Sequence, residues 1–83
     1  MTEPTGDVRT LVEQIAKSLV DAPDDVLVYQ VEEDGEIIIE LEVAPADMGK
    51  VIGKHGRTVR AMRSLVNAVG FRLNKRFELE ILE

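Results

Sequence analysis

Residues 44–70 read "APADMGKVIGKHGRTVRAMRSLVNAVG". Asp47 is a candidate N-cap for a short helix running to about Val51 or Ile52, and Gly53 can end it, because glycine takes a left-handed position after a helix without steric cost. A second helix then begins near Arg57. At about 100° per residue, Val59, Ala61, Met62, Leu65, Val66, Ala68 and Val69 fill one half of its wheel. Arg57, Arg60, Arg63, Ser64 and Asn67 fill the other half. The three arginines are therefore expected on one solvent-facing stripe that starts at Gly53-Lys54-His55-Gly56.

Working outward, the flanking segments are strands. Upstream lies "VLVYQVEEDGEIIIELEV", residues 26–43, two runs rich in β-branched residues around Asp34-Gly35, the pair that type I′ hairpin turns favour. In the second run Ile37, Ile39, Leu41 and Val43 share one face, and Ile38, Glu40 and Glu42 the other. Downstream, Phe77, Leu79 and Ile81 alternate with Glu78, Glu80 and Leu82. The pattern predicts a sheet with one apolar face covered by helices and one acidic face in water. Before the hairpin, Leu11, Val12, Ile15, Ala16 and Leu19 recur at helical spacing, with Asp7 as N-cap and "DAPDD" as the break. Residues 1–6 are expected to be a flexible tail, and residues 7–83 one domain.

Composition narrows the function classes. Eighty-three residues suit a single small core, and no apolar run approaches a membrane span. Without cysteine, disulfide frameworks and thiolate metal sites are excluded, and a cytoplasmic location is the default expectation. The formal net charge of −6 argues against a polyanionic partner, but the charges segregate. Met48 to Phe77 holds eight of the ten Lys and Arg residues and no carboxylate. Because exposed charges are screened over about 8 Å, a ligand there feels the local cluster rather than the total. The acidic sheet face, in contrast, repels phosphate, which disfavours RNA binding across the open sheet.

The Gly-x-x-Gly turn is where an anion is expected to bind. The first turn of the following helix leaves backbone N–H groups without partners at the positive end of the helix dipole. Gly53 and Gly56 let a ligand backbone approach, while Lys54, His55 and Arg57 add charge. A Walker A phosphate loop does not fit, since Gly49 stands one residue too close to Gly53-Lys54 and His55 replaces the Ser or Thr that would hold magnesium. The glutamates alternate on an exposed face with no nucleophile, and His55 is the lone histidine, so neither an enzyme nor a histidine metal site is expected. No cofactor and no small-molecule substrate are implied. Tyr29 stands alone, and Phe71 and Phe77 are expected in the core or an interface.

Strand, short helix, "VIGKHGR", amphipathic helix, strand resembles the KH domain, whose GXXG loop clamps a four-nucleotide stretch of backbone. The extra helix and strand precede the core, as in the prokaryotic type II version. The resemblance covers about residues 7–82 and is similar in detail to the small, single-domain bacterial KH proteins of the KhpA type. It implies an α+β fold of order α-β-β-α-α-β, with a three-stranded mixed sheet and three helices on one face. It also implies a cytoplasmic bacterial protein that binds single-stranded RNA as a post-transcriptional regulator or RNA chaperone. Pairing with itself or with a larger KhpB-type partner is implied too. Carried over by position, the RNA-binding residues are Gly53, Lys54, His55, Gly56 and Arg57, with Ile52 toward a base groove and Arg60 and Lys50 extending the phosphate track. Arg72, Lys75 and Arg76 would correspond to a variable loop across the groove. The alternative is a KH-fold interaction module with little direct RNA binding.

Overall fold

The computed structural model describes the backbone from Pro4 to Glu83 and side chains from Val8 onward. Helix α1 spans Pro4–Leu19, strand β1 Leu27–Glu33, β2 Glu36–Glu42, helix α2 Met48–Ile52, α3 Arg57–Leu73 and β3 Arg76–Ile81. This is the α-β-β-α-α-β order of the type II KH arrangement. α1 starts three residues before the expected cap, so Asp7 lies inside it. Proline suits the first helical position, where its missing N–H has no partner to lose. Residues 1–3, half of the expected tail, lie outside the described residues.

The sheet has the order β1-β2-β3, antiparallel between β1 and β2 and parallel between β2 and β3. Asp34 and Gly35 both take positive φ, 53° and 79°, as a type I′ turn requires, and they pair Glu33 with Glu36. That register turns Ile37, Ile39, Leu41 and Val43 into the core together with Val28, Phe77 and Leu79. Ile39 and Leu41 are fully buried, each contributing about 1.5–3 kcal/mol. Beyond Val28, however, β1 breaks the expected pattern. Its remaining residues are exposed, and Leu27, Tyr29 and Val31 share the outer face with Glu40 and Glu42. The outer face is thus acidic along β2 and β3 but apolar along the edge strand.

Both long helices bury narrower faces than their wheels suggest. α1 inserts Val8, Val12 and Ala16, leaving Leu11 and Leu19 at the rim. α3 inserts Val59, Met62, Val66 and Gly70, while Ala61, Leu65 and Ala68 face solvent. Gly70 has a packing reason. A Cβ there would sit 2.8 Å from both the Lys75 carbonyl and the Phe77 ring, so its absence lets α3 lie close on β3. The helix ends at Asn74 in the left-handed conformation, with Lys75 N–H donating to Gly70 O at 2.8 Å and Asn74 N–H to Phe71 O at 3.2 Å. This Schellman arrangement satisfies the last carbonyls and turns the chain into β3.

Candidate nucleic-acid interface

α2 has five residues, too few to be stable alone, and its position depends on what ties it down. Asp47 does this in an unexpected way. It precedes α2 but makes no capping bond, because the 3-10 turn Pro45–Asp47 gives it helical φ and ψ of −97° and −4°. Its buried carboxylate instead accepts from the Asp21 and Ala22 N–H groups, at 3.2 and 3.0 Å, just past the end of α1. Lys50 joins the cluster, 3.2 Å from Asp21 and 3.6 Å from Asp47. Burial alone would raise the Asp47 pKa, but the two backbone donors and the Lys50 charge outweigh it and hold the group below its ordinary value. In turn, the Asp21 carboxylate, aided by Asp47, raises the Lys50 pKa. Lys50 is thus paired with two carboxylates near the end of α1 and ties α2 to them.

The loop itself is held in rare backbone conformations. Gly53 has φ 78° and ψ 169°, not the left-handed helical values expected of a helix end but a region open essentially to glycine. Thr58 makes the same demand sterically: a Cβ on Gly53 would overlap Thr58 Oγ1 and lie 2.7 Å from its Cβ and 2.9 Å from its N. His55 (φ 58°, ψ 24°) and Gly56 (φ 73°, ψ 15°) follow in the left-handed region. Three consecutive carbonyls are occupied within the loop. Gly53 O accepts from Gly56 N–H at 3.0 Å, Lys54 O from Arg57 N–H, and His55 O from Arg60 Nη1 at 2.8 Å. The same bonds use the Gly56 and Arg57 N–H groups, and Gly53 N–H donates to Gly49 O at 2.9 Å, so what the loop offers an approaching group is mainly the positive charge of its exposed side chains. Lys54, His55 and Arg57 are exposed there, and α3 opens at Gly56 with no side-chain cap on its first N–H groups.

The expected site residues thus divide. Gly53, Lys54, His55, Gly56 and Arg57 form one continuous surface, with Ile52 half-buried beside it and the adjacent Val51 fully buried. Arg60 leans back onto the loop, and Arg63 crosses the other way, its Nε 3.3 Å from Leu79 O on the free edge of β3. The three arginines do not form one stripe. Their spacing of three residues rotates each about 60° from the last, and the partners on either side pull them further apart. Arg72, Lys75 and Arg76 do not flank the loop. They sit at the opposite end of α3, which rises about 22 Å between Arg57 and Arg72. Thr58 had no assigned role in the sequence, and Asp47 and Arg63 had other ones, a helix cap and a solvent-facing stripe; their partners are remote or depend on the loop's own backbone angles. Phe71, expected in the core or an interface, is 88% exposed.

Among the described residues no group of three or more His, Asp or Glu side chains could hold a metal, and no helix is long and apolar enough to cross a membrane. Comparison with known proteins agrees with the architecture. Residues 9–81 match the sequence model of the family described as KhpA/KhpB, KH domain. The chain is 52% identical over 75 residues to "RNA-binding protein KhpA" of Clostridium acetobutylicum, covering 90% of this chain and all of that protein. It is 49% identical over 76 residues to the protein of the same name from Aquifex aeolicus, covering 92% and 96% of the two chains. A crystal structure of an Aquifex aeolicus Era variant bound to GDP and AlF4⁻ superposes with a TM-score of 0.58 at 19% identity. That match covers 89% of this chain and 29% of the Era chain, and it bears on the fold alone. With the type II order, the Gly-x-x-Gly loop between α2 and α3, and a family match across nearly the whole domain, the chain belongs to the KhpA/KhpB KH-domain family.

Proposed function

We propose that this protein binds single-stranded RNA, holding the sugar-phosphate backbone at Gly53–Gly56 and directing bases past Ile52 into the seam between α3 and β3. The observation that carries this reading is the loop: carbonyls turned to internal donors, backbone angles fixed by Thr58, and Lys54, His55 and Arg57 exposed in a segment without carboxylates. The name printed for its relatives, RNA-binding protein KhpA, supports it. The family is not one of enzymes. The glycines let the RNA backbone approach, and the positive end of α3 with the exposed Lys54, His55 and Arg57 attracts its phosphates. Binding contributes to post-transcriptional control in the bacterial cytoplasm.

Fluorescence anisotropy with a 5′-labelled ten-residue oligoadenylate, rA10, tests this. Affinity falls as salt rises through counterion release, and a Lys54→Asp/His55→Asp variant with an unchanged melting curve binds at least tenfold more weakly. Equal affinity in that variant rejects the clamp.

A second reading, pairing with another copy or with a larger KhpB-type protein, is favoured by the apolar line of Ala61, Leu65 and Ala68, which α3 leaves in solvent. It is compatible with the first, since this line faces away from the β3 seam. Light scattering across a concentration series checks it.

A further inference from the structure

Along the side of α3 that faces the free edge of β3, Arg63, Asn67 and Phe71 follow one another at spacings of four residues, forming one line. Two hollows lie beside this line. One, of about 460 Å³, lies among Arg63, Asn67, Leu79 and Glu80; the next, of about 370 Å³, lies among Asn67, Phe71, Lys75 and Arg76. They share Asn67, Phe77 and Glu78 and are therefore neighbours on a single seam.

Phe71 ends the line with 88% of its surface in water, whereas Phe77, across the second hollow, is buried. Lys75 and Arg76 line the same hollow as the exposed ring and are themselves exposed; Arg76 reaches Glu36 at 3.7 Å. An open aromatic face among cations is suited to a nucleobase, because every base offers a π-face for stacking and each carries a phosphate for the neighbouring charges. A basic protein surface would meet like charge here. The carboxylates of Glu36 and Glu78 line the opposite wall, where they can accept from base amino groups but repel phosphates.

We propose that Phe71 is a base-stacking platform, with Lys75 as its phosphate contact, and that it extends the RNA track along α3 beyond the nucleotides held at the Gly-x-x-Gly loop. The platform lies 14 residues beyond Arg57, a rise of about 21 Å, so only a strand longer than the clamped stretch reaches both. This inference rests on the RNA-binding reading, and oligonucleotide length separates the two. Labelled rA4 and rA10 are titrated against the wild type, Phe71→Ser, Phe71→Trp and Lys75→Glu, with folding checked by circular dichroism. The wild type binds rA10 more tightly than rA4. Phe71→Ser loses roughly tenfold on rA10 and nothing on rA4, Lys75→Glu behaves in the same direction, and Phe71→Trp retains the wild-type gain. Wild-type affinity of Phe71→Ser for rA10 overturns the platform while leaving the clamp standing. Absence of binding of either oligonucleotide to the wild type removes both. If Phe71→Ser converts a dimer to a monomer by light scattering and leaves rA10 affinity unchanged per protomer, the ring belongs to a protein contact and the platform is overturned.

Discussion

Among the described residues the chain passes through positive φ at Asp34-Gly35, in the loop Gly53–Gly56 and at Asn74, and the first two make different demands on their glycines. At Asp34-Gly35 the demand is conformational only: Gly35 has φ 79°, and a Cβ there would meet nothing within 4 Å. At Gly53 the demand is conformational and steric at once, because ψ 169° lies outside the left-handed well and Thr58 fills the space where a side chain would go. The hairpin turn joins two strands that already pair along seven positions. The loop at Gly53 fixes the direction of the backbone between α2 and α3. A glycine kept for φ alone is replaceable, and one kept for φ and for room is not.

The largest test of that contrast is Gly53→Ala. Backbone strain costs about 1–3 kcal/mol and the overlap with Thr58 a similar amount, so urea denaturation gives a loss of about 2–5 kcal/mol. Adding Thr58→Ala restores part of it, since the overlap with Oγ1 disappears while the φ demand remains. A loss below 1 kcal/mol in Gly53→Ala would collapse the distinction between the two turns.

Acid probes what holds the loop from a distance. The Asp47 carboxyl titrates below its ordinary value of 3.8, so the stability it contributes is fully present above that pH and is lost as pH falls through the lowered value. The urea midpoint of the wild type should fall more steeply below about pH 4 than that of Asp47→Asn, and the difference should be flat above pH 5. Parallel profiles would mean that the bonds to Asp21 and Ala22 do not hold the site. Glu78 has the opposite sign. The neighbouring Glu36 carboxylate, then burial and Glu80, push its pKa up against the pull of Arg63, so its charge disfavours folding at neutral pH. The smallest effect belongs to the hairpin: Gly35→Asn should change stability by only a few tenths of a kcal/mol, because asparagine tolerates the left-handed region and has open space. A loss comparable to that of Gly53→Ala would show that the hairpin turn is equally constrained.

Much of the fold was legible from local periodicity. The alternation of Ile37, Ile39, Leu41 and Val43 and the Asp34-Gly35 pair specify β2 and its partner, because register and face follow from a period of two. The loop's location followed from two glycines between two helical patterns. What could not be read were the effects of remote partners. Asp47 looks like a helix cap, but its acceptors serve Asp21 and Ala22, 26 and 25 residues away in sequence. Arg63 looks like a solvent residue until β3 brings Leu79 beside it. Phe71 and Leu65 look like core, since an apolar residue on an amphipathic helix carries no mark saying whether anything covers it.

The Asp47 cluster also bears on motion. Helix α2 is too short to hold its own shape, and its anchors are the end of α1 and the buried Val51, so loosening α1 withdraws half of the support beneath the Gly-x-x-Gly loop. Amide exchange at Val51 and Gly53 should therefore track that at Val12 and Ala16 rather than that of the hairpin, as expected if the N-terminal helix and the loop open as one cooperative unit. A helix with no residue in the loop would then set how often the loop holds its shape.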